Sequence, residues 1–276
     1  MSTSNRRTYR GKLKAVIFDW AGTTVDFGSM APTAVFIEVF RQQGVPITVE
    51  EARGPMGTYK RTHIQMISRM DSVAQRWQKI HGRPCTDEDI EQMFASFVPL
   101  QLASIGDHAD LIPGTLETVA ALRARGLKIG STTGYTREMI DVLGREAARR
   151  GYQPDCTVCA TDVPEGRPSP AMCLLNAVQL RVWPMEACVK VDDTLPGIEE
   201  GLNAAMWSVG VVMTGNEMGM PHVELAALDP KERDTKRRRA YDRMDQAGAH
   251  FVIDGIGDLL PVLDEIESRL ARGERP

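Results

Sequence analysis

Six short apolar runs constrain this chain more than any other feature of its sequence. The first, Lys14-Ala-Val-Ile-Phe-Asp19, ends in an acid, as a buried parallel strand facing a site does. The others are Leu127–Ser131, Thr157–Ala160, Cys188–Val191, Trp207–Val212 and Phe251–Ile253. Helical patterns lie between most of them, at Leu116–Arg125, Thr136–Arg150, Ala171–Leu180 and Ile198–Ala204. Gly126 and Gly151 close two of these helices, where a C-terminal glycine belongs. Strand and helix alternating at intervals of about 20–40 residues predict right-handed crossovers on a parallel sheet. The expected fold class is α/β, a doubly wound, Rossmann-like core.

One interval breaks the rhythm. More than 100 residues separate Asp19 from Leu127, far beyond a single crossover. Helical patterns fill the gap at Pro32–Gln43, Tyr59–Arg69, Ser72–His81 and Thr86–Ser104, the last opened by Thr86 as N-cap with Asp87, Glu88 and Asp89 in its first turn. The chain therefore divides into a core, residues 1–27 and 107–276, and an inserted α-helical cap, residues 28–106. The cap is expected over the carboxyl edge of the sheet, where open α/β sheets bind ligands.

Composition narrows the class of function. The 276 residues are 42% hydrophobic and 25% charged, with a net charge of -4, an ordinary globular balance that argues against a dedicated nucleic-acid binder. Lys231-Glu-Arg-Asp-Thr-Lys-Arg-Arg-Arg239 is basic, but its embedded acids read as a solvated helix face. No apolar run approaches the roughly 18–20 residues of a membrane span. Met1–Lys14 is basic and lacks the apolar stretch of a secretory signal, so a frayed, solvated tail is expected. Five cysteines, an odd number, suggest free thiols in a reducing, cytoplasmic setting. Cys156-Thr-Val-Cys159 has redox or zinc spacing without a second pair, and reads as a strand with buried thiols.

Four strand ends carry polar groups. Asp19-Trp-Ala-Gly-Thr-Thr24 places an acid before a small turn that either caps itself or turns backbone N–H groups, Gly22 among them, toward an anion. Ser131-Thr-Thr-Gly-Tyr-Thr136 runs straight into a helix, which suits a phosphate or a simple cap. Arg167 is flanked by prolines in Val163-Pro-Glu-Gly-Arg-Pro-Ser-Pro170. Lys190-Val-Asp-Asp-Thr194 pairs two carboxylates, an oxygen-rich arrangement suited to Mg²⁺ or to capping the next helix.

The order acid, hydroxyl, base, paired acids at successive strand ends resembles the haloacid dehalogenase superfamily, whose first aspartate is a nucleophile toward phosphorus. Most of its phosphatases and phosphomutases carry a second aspartate two residues on, as general acid and base; this chain has Ala21 there. Asp19-Trp-Ala-Gly-Thr-Thr-Val-Asp26, Gly54-Pro-Met-Gly-Thr-Tyr-Lys60 and Ser131-Thr-Thr-Gly-Tyr-Thr-Arg-Glu-Met139, together with Gly166-Arg-Pro168 and Val191-Asp-Asp-Thr194, are similar to the phosphonoacetaldehyde hydrolase (phosphonatase) family of that superfamily. The similarity runs from about residue 15 to residue 267.

The resemblance implies hydrolysis of the carbon–phosphorus bond of phosphonoacetaldehyde to acetaldehyde and phosphate, within 2-aminoethylphosphonate degradation. Cleaving that bond expels a carbanion, which an acid beside the nucleophile cannot make a good leaving group. An amine can, by forming an iminium that accepts the electrons. Lys60 and the missing acid at Ala21 are then two sides of one mechanism. On this footing Mg²⁺ is expected on Asp19, the Ala21 carbonyl and Asp193, with Asp192 orienting water or the Lys190 region. Thr133, Arg167 and Gly22 are expected to bind the phosphonyl group, Met56 and Tyr135 to line the aldehyde pocket, and His63 to relay protons. A homodimer through cap helices such as Pro32–Gln43 is also implied. Gly197 stands where some relatives carry a further acid. The competing readings are a cap-bearing phosphomonoester phosphatase or phosphomutase, and a non-catalytic phosphate-binding module.

Overall fold

Every side chain of the first strand, β1 (Ala15–Phe18), is buried, which requires cover on both faces of its sheet. A computed structural model of the chain, describing residues 8–276, shows how this is met. After β1 come five helices, α1 (Met30–Gln42), α2 (Val49–Arg53), α3 (Lys60–Ser68), α4 (Asp71–His81) and α5 (Asp87–Ser104). Then α6 (Thr115–Ala124), β2 (Lys128–Thr133), α7 (Arg137–Arg149), β3 (Cys156–Cys159), α8 (Ala171–Leu180), β4 (Cys188–Asp192), α9 (Leu195–Asn203) and β5 (Trp207–Val211) alternate. The chain ends through α10 (His222–Ala227), α11 (Pro230–Gln246), β6 (Phe251–Ile253) and α12 (Leu259–Arg272).

The six strands form one parallel sheet in the order β3-β2-β1-β4-β5-β6. This is the expected α/β class. The order reverses at β1, whose neighbours are β2 and β4, so the carboxyl ends of these three strands share the central crevice where such sheets bind ligands.

The helices α1–α5 fill the long interval between β1 and β2, and α5 packs against both α1 and α3. A single cluster of buried apolar side chains runs from the sheet into this insert and includes Phe18, Trp20, Phe36, Phe97 and Leu143. The two chain crossings lie side by side: Val25 bridges Leu111, the Asp26 N–H donates to the Asp110 carbonyl at 3.1 Å, and the Asp26 carboxylate accepts the first N–H groups of α1.

The amino-terminal segment departs from expectation. Arg6 and Arg7 lie outside the described residues. From Lys12 onward the chain is docked rather than frayed: Leu13 is buried, and the Glu267 carboxylate of α12 takes both the Lys12 ammonium at 2.8 Å and the Leu13 N–H at 3.2 Å. The five thiols are free, and burial pushes Cys159 up to about 12, an inert thiol as the strand reading of Cys156–Cys159 expects. Lys231–Lys236 is exposed on α11. Among the described residues no helix is long and apolar enough to cross a membrane.

Helix α5 opens with a full capping box: the Thr86 hydroxyl accepts the Asp89 N–H and the Asp89 carboxylate accepts the Thr86 N–H at 2.8 Å. Thr86→Ala is expected to cost about 1 kcal/mol, read as a lowered midpoint with unchanged slope in urea unfolding.

Candidate active site

Three adjacent strands deliver carboxylates and hydroxyls to one place. Asp19 follows β1, Thr133 ends β2, and Asp192 and Asp193 stand at the end of β4, all buried. Arg167 reaches them from the loop between β3 and α8 and is itself 4% exposed. Its Nη2 donates to Asp19 Oδ1 at 2.7 Å and to the Thr132 hydroxyl and carbonyl at 3.0 Å. Nη2 also lies 3.1 Å from Asp192 Oδ2, and Nε donates to Glu200 of α9 at 2.8 Å. Lys190, inside β4, sits 2.8 Å from Asp192 and donates to the Thr132 hydroxyl at 2.8 Å. Two cations thus share one hydroxyl and hold Asp192 between them. Burial alone would lower the pKa of Arg167; Asp192, Asp19 and Glu200 hold it charged.

The carboxylates outnumber the cations. Asp19, Asp192, Asp193 and Glu200 are buried against Lys60, Arg167 and Lys190. Asp192 has its counter-charges, so its pKa is lowered despite burial. Asp193 makes no ion pair among the described residues: burial, with Asp19 and Asp192 beside it, pushes it well above the usual carboxylate range. Its oxygens accept the Thr23 hydroxyl at 2.9 Å and the Asn216 N–H at 2.8 Å. Burial and Asp192 likewise raise Asp19 to about 6 against the pull of Arg167. Ligand oxygens of Asp19, Asp192 and Asp193 lie within 4.8 Å of one another, a cluster that could hold a metal ion. An oxygen-only donor set short of positive charge suits a hard divalent cation.

The insert supplies the other wall. The turn Gly54–Thr58 leads into α3 and brings Met56, Gly57 and Lys60 to the same cavity as Asp19, Ala21, Thr133, Tyr135 and Arg167. Its empty volume, open solvent included, is about 270 Å³. Gly57 has φ +92°, and a Cβ there would collide with Thr194, so glycine alone lets the turn approach α9. Its carbonyl accepts from Arg167 at 3.3 Å.

Lys60 is 4% exposed and opens α3, where the helix dipole disfavours a cation. Its Nζ stands 4.6 Å from the Tyr135 ring centroid and 5.7 Å from that of Phe36. Burial lowers its pKa from 10.5 to about 8, with Asp19 pulling the other way. His63, one turn on, is fully buried and stacks 3.8 Å from Phe36. Its Nε2 pairs with the Ala52 carbonyl at 2.8 Å, and Nδ1 has no hydrogen-bond partner among the described residues. Burial and Lys60 keep it neutral. The buried Tyr135 hydroxyl likewise has no partner among them, and burial beside Asp26 and Asp19 holds it protonated.

Gly22 departs from the sequence reading. Its N–H is spent on the carbonyls of Val25 at 2.8 Å and Asp26 at 3.2 Å, and the N–H groups of Thr23, Thr24 and Val25 all return to the Trp20 carbonyl. The turn beyond Ala21 is therefore closed on itself and offers no N–H to an anion. Gly22, at φ +87°, instead clears space for the Asp193 carboxylate, which a Cβ would strike. Gly197 is explained the same way, since a Cβ there would occupy the place of the Asp192 carboxylate.

Sequence reasoning missed the buried supports. Glu200 and Thr132 tie Arg167 and Lys190 together, and the loop Thr214-Gly215-Asn216 cradles Asp193, with the Thr214 hydroxyl on the Gly22 carbonyl at 2.8 Å. One signal was readable: Lys190 interrupts an apolar strand, where a cation must be paired.

Residues 13–205 match the family model of haloacid dehalogenase-like hydrolases. A phosphonoacetaldehyde hydrolase of Hahella chejuensis is 50% identical over 276 residues, covering 100% of this chain and 94% of the relative. A phosphonoacetaldehyde hydrolase-like protein of Syntrophobacter fumaroxidans is 49% identical, with 99% of each chain covered. The crystal structure of a phosphonoacetaldehyde hydrolase-like protein from Oleispira antarctica superposes with a TM-score of 0.97 at 44% identity over 100% of both chains.

Lowering of the Lys60 pKa predicts selective amine chemistry. Modification of Lys60 by trinitrobenzenesulfonate, followed by peptide mapping, should rise with pH and reach half its maximal rate near pH 8. Solvated lysines should follow about two pH units higher. A Lys60 midpoint equal to theirs would contradict the burial argument.

Proposed function

This chain belongs to the phosphonoacetaldehyde hydrolase family of haloacid dehalogenase-like hydrolases, and from that footing we propose that it hydrolyses phosphonoacetaldehyde to acetaldehyde and phosphate through a Lys60 imine and an Asp19 phosphoryl ester. The observation that carries this reading is one cavity holding a buried amine with a pKa near 8 opposite a buried aspartate, with alanine at position 21. An enzyme of phosphate esters needs a proton donor for an alkoxide; an enzyme of a carbon–phosphorus bond needs an electron sink on carbon.

The steps follow from the groups present. The neutral Lys60 amine adds to the aldehyde and loses water, forming a protonated imine. The unpartnered Nδ1 of His63, and the hydroxyl of Tyr135, whose ring lies under the Lys60 Nζ, supply an acceptor and a donor for the protons that move in that condensation. Thr133 and Arg167 hold the phosphonyl oxygens, and Arg167 keeps the Asp19 carboxylate oriented. An Asp19 oxygen attacks phosphorus, the carbon–phosphorus bond breaks, and its electron pair enters the iminium to give an enamine. Protonation at carbon and hydrolysis release acetaldehyde and regenerate Lys60; water then frees phosphate from Asp19.

Mg²⁺ would be held by Asp19, Asp193 and the Ala21 carbonyl, and when bound it supplies positive charge to the phosphonyl oxygens. Met56 would wall the aldehyde side. Residues 28–106 would act as the cap domain over a core of 1–27 and 107–276, placing the reaction in 2-aminoethylphosphonate degradation in the cytoplasm, a compartment suited to five free thiols. A homodimer through the cap belongs to the same proposal. Since α1 turns Val35, Phe36, Val39 and Phe40 inward, its contribution to that contact comes from its outer face, Ala34, Arg41 and Gln42 with the half-exposed Ile37 and Glu38.

Borohydride added during turnover of phosphonoacetaldehyde should leave an ethyl adduct on Lys60, and no other lysine should carry it. Asp19→Asn should lower kcat by at least about 10⁴-fold, as loss of a nucleophile does, while the Lys60 adduct with acetaldehyde still forms. Faster release of phosphate from simple phosphate esters than from the phosphonate would favour the phosphatase reading instead.

A further inference from the structure

Arg53 is a buried cation outside the cavity, and nothing in the chemistry above uses it. It ends α2 and lies just before the turn that carries Met56 and Gly57. Its Nη1 donates across the chain crossing to the Gly28 carbonyl at 2.9 Å and to Asn216 Oδ1 at 3.2 Å. The Arg53 carbonyl accepts the Met56 N–H at 3.1 Å, closing that turn, and meets the Asn216 side-chain amide at 3.5 Å. Asn216 in turn gives its backbone N–H to Asp193 Oδ2 at 2.8 Å. Gly219, at φ +59°, leaves room for the guanidinium that any Cβ would crowd.

We propose that Arg53 and Asn216 are positioning residues, a clasp that makes seating of the Lys60 segment and fixing of the Asp193 carboxylate one event. This rests on the reading of Asp193 as a metal ligand. The side chain of Asn216 faces the insert while its backbone faces the carboxylate, so neither partner can shift alone. Coupling of this kind is reciprocal: what the clasp gives to Lys60 it must also give to cation binding at Asp193.

The test is Mg²⁺ binding by calorimetry to the wild type, Arg53→Lys, Asn216→Ala and the double variant, with thermal melts and kinetics on phosphonoacetaldehyde. Lysine keeps the charge but ends in a single ammonium in place of the planar guanidinium whose Nη1 reaches both Gly28 and Asn216, so a weakened cation site there is not a Coulomb effect. Each single variant should bind Mg²⁺ at least about 5-fold more weakly, and the double variant should be no weaker than the weaker single. The kcat should fall in the same order while KM moves less. Arg53→Met adds a sign test, because removing a cation near Asp193 by itself should tighten Mg²⁺; weaker binding there supports the clasp, and tighter binding overturns it. Affinities of both single variants within twofold of wild type, or losses that multiply in the double variant, overturn it as well. If Arg53→Lys does not fold, Asn216→Ala decides, since it leaves the Arg53 bond to Gly28 in place. Weakened Mg²⁺ binding in variants of a protein that cleaves no phosphonate would uphold the clasp and reject the proposed reaction; a wild type that binds no Mg²⁺ would reject the clasp.

Discussion

An excess of buried carboxylates at the centre of the sheet governs the rest of the structure. Asp19, Asp192 and Asp193 converge because β1 and β4 are neighbours, α9 adds Glu200, and four such groups cannot be buried together without compensation. Arg167 and Lys190 answer part of the charge. Their geometry is fixed by shared partners, Thr132 and Glu200, so that Arg167 has a hydrogen bond left for Asp19. Removing one member of such a set would strand its partners, at a cost of about 3–5 kcal/mol. The remaining deficit falls on Asp193 and Asp19, the two residues raised above the usual carboxylate range. Stability thus accounts for Lys190 and Glu200, and the under-compensated pair is where the proposed cation would add the missing positive charge.

The insert completes this arrangement by adding an amine and excluding water. A lysine on an open helix keeps its pKa near 10.5 and is rarely neutral. Lys60 is brought to about 8 by burial, and its place at the first residue of α3 works in the same direction. Both depend on the turn before it, which reaches the sheet because Gly57 tolerates φ +92° and has no side chain to meet Thr194. The tuning of the amine is therefore a property of the closed insert.

Much of the architecture was legible in the sequence because it follows from periodicity. The six strands lie within a residue or two of their apolar runs, and the helical interval after Asp19 contains α1 and α3–α5 where the patterns place them. The short α2 and the exposed α10 carry weak patterns, whereas α12 carries a clear one, Leu259, Leu263, Ile266 and Leu270 at helical spacing, that was not assigned. Asp19, Thr133, Asp192 and Asp193 were readable since they stand at strand ends, where a polar residue after an apolar run is conspicuous. The partners of Lys190, and the roles of Thr132, Glu200, Arg53 and Asn216, were not, because they arise from residues distant in the chain: Thr132 meets Glu200 68 positions away, and Arg53 meets Asn216 163 positions away. Gly22 illustrates the opposite error. A glycine in the turn after Asp19 suggests free N–H groups, yet the turn consumes them, and the residue is small so that Asp193 can fit.

The same steric logic joins Ala21, Gly22 and Gly197. Each is small where a larger or acidic residue would change the chemistry. An acid at position 21 would add a fifth carboxylate to a cluster already short of cations, beside an amine that must lose its proton. Electrostatically it would favour the ammonium form of Lys60, because a neighbouring carboxylate raises a lysine pKa. A side chain at 197 would displace Asp192 from the two cations that hold it. Absence of these groups fits the neutral amine that the proposed reaction needs: beyond Asp19, Arg167 and the Asp192–Asp193 pair, the surface near Lys60 carries the rings of Tyr135 and Phe36.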